Sequence, residues 1–266
     1  MPDSPVVASP ATYTEQPVLW QHYWNPALLS FRVARDPAYR FTPGQFARIG
    51  LAGLSGTSGG EDLWRAYSIV SAPHEHFLEF FMVVLPDGRF SRRVAALAPG
   101  ETMRVEGHAQ GFLTLDRFRH GSDLWLIATG TGLAPYISML RDSHVWQAFE
   151  NIVVVLSVRE HSDFAYLDEL KSMAALTPEA GKARFRLVTT LTRDQAGEGL
   201  HGRVTTLAES GALEQAAGIP FDDERSRFML CGNPDMVEAM RALLKSRGFR
   251  MNRRLTPGHI IVENYW

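Results

Sequence analysis

Hydrophobic and polar positions follow two different rhythms along this chain. From Val18 to about Leu115 the apolar residues come in short alternating or continuous runs, at 29–33, 46–51, 66–70, 77–85 and 102–106. Pro43-Gly44, Pro86-Asp87-Gly88 and Pro99-Gly100 punctuate them. Short strands separated by turn residues predict a small antiparallel barrel or sandwich. One helix is predicted within it, over 91–97, with Ser91 as N-cap. The Gly/Ser-rich stretch 53–60 reads as a loop.

From Asp123 the rhythm changes to strand, glycine turn, helix: 124–129 then 135–142, 152–158 then 164–175, 184–190, and 227–231 then 234–247. Apolar strands alternating with amphipathic helices predict a parallel sheet wrapped by helices. The expected fold class is therefore an antiparallel β-barrel followed by an α/β parallel-sheet domain. We expect an N-terminal extension over 1–17, the barrel over 18–120 and the α/β domain over 121–266. The Ala/Gly-rich stretch 211–218 reads as a helix end and loop, and no internal repeat is visible.

Composition narrows the chemistry. With 266 residues, 45% of them hydrophobic, the chain has material for two cores, and its formal charge of −2 gives no whole-molecule field for nucleic acid or an anionic membrane. Cys231 is the only cysteine, which excludes an internal disulfide and a cluster held by several thiolates. Residues 1–16 have neither a basic start nor an apolar core, and the apolar run 124–140 is broken by glycines and Pro135. A cytoplasmic, monomeric protein is expected. The histidines are scattered without ligand spacing, so no metal is expected, and no nucleophile elbow or triad stands out.

Six features carry candidate chemistry. Thr129-Gly130-Thr131-Gly132-Leu133-Ala134-Pro135 follows a buried strand and opens a helix. Either a plain tight turn or a pyrophosphate cradle satisfies that pattern, and the third glycine of the usual dinucleotide fingerprint is missing. Arg65-Ala66-Tyr67-Ser68 places a guanidinium and a ring on one strand face, which suits either an ordinary exposed Arg–Tyr pair or a phosphate clamp beside a flat ring. Gly88-Arg89-Phe90-Ser91-Arg92-Arg93 is a second place for an anion or a solvated basic helix start. Cys231-Gly232-Asn233-Pro234-Asp235 ends another strand at the edge of the sheet where ligands bind. Arg159, Arg193 and Arg203 are surface arginines of the kind that can hold a ribose 2′-phosphate. Lastly, Glu263-Asn264-Tyr265-Trp266 puts two aromatic residues at the terminus, which a final strand docked into the core would also explain.

Taken in this order, the motifs resemble the ferredoxin/flavodoxin–NADP(H) reductase family in its compact bacterial form, over roughly Val18 to Trp266. The resemblance implies an FAD-binding barrel and an NADP-binding α/β domain, hydride transfer between NADPH and flavin, and single-electron exchange with ferredoxin or flavodoxin. It implies that Arg65 binds the FAD pyrophosphate, Tyr67 stacks on the flavin and Ser68 bonds near flavin N5, with Ala66 in the same segment. Gly88, Arg89, Phe90 and Ser91 would hold the second FAD-phosphate segment, and Trp266 with Phe112 would cover the adenine. Thr129, beside both cofactors, Gly130, Thr131 and Gly132 would bind the NADP pyrophosphate, and Arg193 and Arg203 its 2′-phosphate, with Arg159 nearby. Cys231, Gly232, Asn233 and Asp235 would receive the nicotinamide. Ser68, Cys231, Glu263 and Tyr265 would be the catalytic set, Tyr265 stacking on the flavin and moving aside for nicotinamide. Arg89, Arg92 and Arg93 would guide an acidic carrier. The same fold also serves oxygenase reductases, free-flavin reductases and non-catalytic FAD-binding electron-transfer subunits. The single cysteine counts against the cluster-bearing members.

Overall fold

A computed structural model describes residues 12–53, 62–176, 183–195 and 197–264. Its first half contains β1 (Tyr13–Asn25), β2 (Leu28–Ala34), β3 (Phe46–Leu51), β4 (Leu63–Ser68), β5 (Phe77–Val83), α1 (Arg89–Ala95) and β6 (Thr102–Glu106). The strands form one antiparallel sheet in the order β4-β3-β6-β1-β2-β5. Its two edges approach each other through the Ile69↔Phe80 bridge, so the sheet rolls into a nearly closed barrel. Leu29, Phe31 and Val33 of β2 and Leu78, Phe80 and Met82 of β5 alternate into its buried interior.

The second half contains β7 (Asp123–Thr129), α2 (Ala134–Arg141), α3 (Ser143–Ala148), β8 (Asn151–Val158), α4 (Leu167–Ala175), β9 (Arg184–Leu191) and β10 (Leu200–His201). It continues with α5 (Val204–Glu209), α6 (Ala212–Ala217), β11 (Ser226–Gly232), α7 (Pro234–Ser246) and β12 (Ile260–Asn264). The sheet is parallel, in the order β10-β9-β8-β7-β11-β12. Both faces are covered, which is why these strands read as continuous apolar runs. Leu124 and Leu126 of β7 pack into the core shared with the barrel, through Leu28, Val70 and Phe81, while Trp125 and Ile127 face the core on the other side. No helix among the described residues is long and apolar enough to cross a membrane.

Three expectations are corrected. Residues 13–17, assigned to a loose extension, belong to β1 and pair with β6 from Tyr13↔Glu106 to Pro17↔Thr102. Their polar side chains hid the strand because neither face is deeply buried there. Residues 212–217 are a helix, closed at each end by a glycine of left-handed backbone, Gly211 at φ 78° and Gly218 at φ 64°. Ser91 is not an N-cap: α1 starts two residues earlier, after Gly88, and the buried Ser91 hydroxyl accepts from the Leu85 amide at 3.0 Å and donates to the Gly88 carbonyl.

Tyr13 packs on Trp64 with ring centroids 5.6 Å apart, and Glu15 pairs with Arg104 at 3.3 Å. Deleting residues 1–17 should therefore cost about 2 kcal/mol of cross-strand pairing. That loss should lower the melting temperature by about 4–8 °C. A scanning calorimetry trace that superimposes on that of the full chain would show instead that 13–17 add nothing.

Candidate active site

β4 delivers one half of the site. Tyr67 pairs with Ala47 across the barrel sheet and is half-buried. Its ring stacks on Phe90 of α1 at 5.9 Å and 22°, so the Arg65–Ser68 and Gly88–Ser91 segments, far apart in sequence, share one surface. Burial pushes the Tyr67 phenol up to about 12 against the opposing charge of Arg65, keeping a neutral ring available for stacking. Arg65 and Ala66 are exposed, Arg65 donating to the adjoining Trp64 carbonyl at 2.7 Å. Arg89 and Arg92 are exposed on α1, whereas Arg93 is bound to the Ala52 carbonyl at 2.7 Å. Gly88 is required where it is, since a Cβ there would collide with the folded-back Ser91 hydroxyl.

The parallel sheet delivers the other half. From β7 the chain moves to β8, β9 and β10 on one side and then crosses to β11 on the other, so the carboxyl ends of β7 and β11 open a crevice at the switch point. The turns leaving these strands are fitted to each other. A Cβ on Gly132 would strike the Cys231 carbonyl, and one on Gly232, at φ 128°, would strike the Thr129 hydroxyl. That hydroxyl accepts the Asn233 amide at 2.8 Å, and the Asn233 side chain caps α7 by accepting from the Asp235 and Met236 amides. Gly130, at φ 52°, turns the side where its Cβ would project toward open space, and Thr131 next to it is half-buried. Arg159, Arg193 and Arg203 are exposed just beyond the carboxyl ends of β8, β9 and β10, and the Arg193 amide donates to the Arg159 carbonyl at 2.9 Å.

The halves meet at Glu263. Its register partner on β11 is Cys231, which is fully buried. The buried Ser68 hydroxyl at the end of β4 donates to Glu263 Oε2 at 3.3 Å. Gly111 closes over the same carboxylate, a Cβ there falling 3.3 Å from Oε1. Tyr136 is buried close by and donates to the Ile127 carbonyl at 3.3 Å; burial, then the charges of Cys231 and Glu263, raise its phenol well above the usual range. Burial also pushes Glu263 up to about 7, only partly countered by the Ser68 hydrogen bond, so this carboxyl can hold a proton near neutrality.

These surfaces fit the two cofactors. A flat ring can lie by Tyr67 and Ser68, phosphates can approach Arg65 and the start of α1, and the Gly130 turn lets a pyrophosphate close on backbone amides. Phe112, 73% exposed, lies beneath the Arg117 guanidinium at 5.1 Å. Tyr265 and Trp266 lie outside the described residues, and among those described no cluster of His, Cys, Asp and Glu could hold a metal. Two contributors were missed from sequence: Gly111, and a buried polar group centred on Glu79. The second had a signal, a carboxylate inside the apolar run Phe-Leu-Glu-Phe-Phe-Met-Val.

Residues 22–112 match the oxidoreductase FAD-binding domain and 126–242 the oxidoreductase NAD-binding domain. Ferredoxin–NADP reductase A of Sorangium cellulosum is 38% identical over 94% of this chain and 89% of its own length. Flavodoxin/ferredoxin–NADP reductase of Escherichia coli is 39% identical over 91% of this chain and 94% of its own. A ferredoxin NADP+ reductase from Neisseria gonorrhoeae, solved with bound FAD and NADP, superimposes with a TM-score of 0.88 at 35% identity, covering 96% of this chain and 99% of that one. The chain belongs to the ferredoxin/flavodoxin–NADP reductase family.

The raised Glu263 value makes a signed prediction. The folded state holds the proton more tightly than the unfolded chain, so the contribution of Glu263 to stability is full below about 4.5 and is lost as pH rises through about 7. The loss should be on the order of 3 kcal/mol. Urea midpoints of the cofactor-free protein at pH 5 and pH 8, compared with those of Glu263→Gln, should diverge by that amount at the higher pH. Parallel midpoints would place the carboxyl in contact with water.

Proposed function

We propose that this chain is an FAD-dependent reductase that transfers hydride between NADPH and flavin and single electrons between flavin and a ferredoxin or flavodoxin. The observation that carries this reading is the Ser68–Glu263 contact, which places the ring-stacking strand of the barrel against the carboxyl edge of the parallel sheet. FAD, when bound, accepts an electron pair as hydride and releases electrons singly. The chain's own task is to bind, orient and exclude water.

In this reading Arg65, with Gly88, Arg89 and Ser91, holds the FAD phosphates, while Tyr67 and Ser68 fix the ring. Ala66 and Phe90 back that surface, and Phe112 and Trp266 flank the adenine. Thr129, Gly130, Thr131 and Gly132 offer backbone amides to the NADP pyrophosphate. Cys231, Gly232, Asn233 and Asp235 form the floor for nicotinamide, and Tyr265 occupies its place until it arrives. Glu263, poised near neutrality and bonded to Ser68, can hold or release a proton at its Oε2 beside the flavin. The barrel, extended to include 13–17, and the α/β domain act as one monomer in the cytoplasm.

Arg193 and Arg203, supported by Arg159, select NADPH. Each replaced by Ala should reduce the NADPH-over-NADH preference in kcat/KM about 10-fold or more, since a charge-assisted bond contributes about 1.5–3 kcal/mol. Dye-reduction kinetics with both nucleotides measure this, and an unchanged ratio would remove these arginines from the 2′-phosphate site. Carrier docking rests on Arg92, with Arg89 beside it. Arg92→Glu should raise the KM for ferredoxin or flavodoxin at low ionic strength, with the difference vanishing near 1 M salt, where the screening length falls to about 3 Å. Equal KM values at low salt would place the docking face elsewhere.

A further inference from the structure

The reaction requires two sites on separate layers to be held at a fixed separation, and one buried polar group joins those layers. Glu79 on β5 is 1% exposed. It accepts from Arg32 Nε at 2.9 Å within the barrel. From the α/β half it accepts from the Tyr166 hydroxyl at 2.8 Å and from an Arg141 Nη at 3.1 Å. Tyr166 takes a further hydrogen bond from Ser30 of β2 at 2.6 Å, and Ser30 in turn accepts from Trp24 Nε1 at 2.8 Å. Arg141 is forked on Glu169 at 2.8 and 2.9 Å. Desolvation lowers the Arg141 value, but Glu169, Glu79 and Glu75 outweigh it and hold the guanidinium charged. Tyr166 is the one non-glycine residue of positive φ, 57°, among those described, so the chain bends there to aim the hydroxyl.

Each end of this group leads to a cofactor surface. Arg141 is the last residue of α2, whose first turn follows the Gly130–Gly132 turn, about 12 Å away at 1.5 Å per residue. One turn before Arg141, Ser138 donates to the Ser71 carbonyl at 2.7 Å, on the connection between β4 and β5. On the barrel side the Glu79 carbonyl accepts the Val70 amide at 2.8 Å, two residues past Ser68. A short helix and a short strand thus link the phosphate turn to the ring-binding strand through Glu79.

We propose that Glu79, Tyr166 and Arg141 are positioning residues, a buried lock that fixes the nicotinamide site relative to the flavin site. The proposal rests on the hydride-transfer reading above. Apolar packing alone would join the halves, but it is non-directional and does not fix a register. A charged acceptor receiving three donors from two layers does.

The test uses the FAD-loaded protein and the variants Tyr166→Phe, Glu79→Gln and Arg141→Met. Tyr166→Phe removes one hydroxyl and is the mildest. The lock predicts unchanged FAD content and unchanged affinity for adenosine 2′,5′-bisphosphate, which touches the α/β half alone. The limiting rate constant of flavin reduction at saturating NADPH should fall about 10- to 100-fold, the scale of a displacement near 1 Å. Long-wavelength charge-transfer absorbance on anaerobic mixing should weaken in parallel. Without nucleotide, amide hydrogen exchange should quicken at 138–142 and 78–80. A lowered melting temperature with unchanged limiting rate and absorbance overturns the proposal, leaving only a structural role. So does loss of FAD from all three variants, which would make the group a support of the barrel itself. If NADPH does not reduce the wild type, the functional reading fails, and unchanged exchange at 138–142 would then overturn the lock independently.

Discussion

Ser68 and Glu263 are 195 residues apart in sequence and 3.3 Å apart in the fold. For them to meet, β4 must end on the barrel rim facing the sheet, and β12 must be the last parallel strand beside β11. The site is therefore not the property of either half. Burial of a carboxyl at that junction has a cost in its charged form, which the structure meets by letting Glu263 keep its proton up to about 7 rather than by supplying a cation. A carboxyl in that condition sits next to a buried hydroxyl, and its register partner is a fully buried thiol.

The rest of the architecture serves that junction. Parallel strands can be extended on either side of a starting strand, and the reversal after β10 places two glycine turns side by side where no side chain could be accommodated. Gly132 against the Cys231 carbonyl and Gly232 against the Thr129 hydroxyl are steric consequences of that closeness. The same closeness leaves backbone amides and one open glycine surface at the mouth of the crevice. On the barrel side Tyr67 and Phe90 stack, so the segments 65–68 and 88–91 share one surface.

Much of this was legible in the sequence, for physical reasons that differ by region. Barrel strands declared themselves through period-two alternation in β2 and β3, and the α/β half through apolar runs ending in Gly-Thr-Gly and Cys-Gly-Asn-Pro. The first residues of β1 did not, because a rim strand wetted on both faces carries polar residues. The start of α1 was misplaced because Ser91 resembles a cap while its hydroxyl serves the turn before the helix. Family resemblance alone put Ser68 and Glu263 in one catalytic set, and their contact came only with the fold, since no local pattern encodes a contact between a barrel strand and the final strand. Glu79 was overlooked although a carboxylate inside an apolar strand signals a buried partner. Its partners, Tyr166 and Arg141, lie in the other half and only the fold brings them near.

If a flavin on the barrel and a nicotinamide on the sheet face each other across this junction, anaerobic rapid mixing of the FAD-loaded protein with NADPH carrying deuterium at the transferred position of C4 should bleach the flavin's visible absorbance. One NADPH should be consumed per FAD, and deuterium should slow the bleaching. Nucleotide binding without bleaching, or bleaching indifferent to the deuterium under single-turnover conditions at a rate limited by chemistry, would contradict that arrangement.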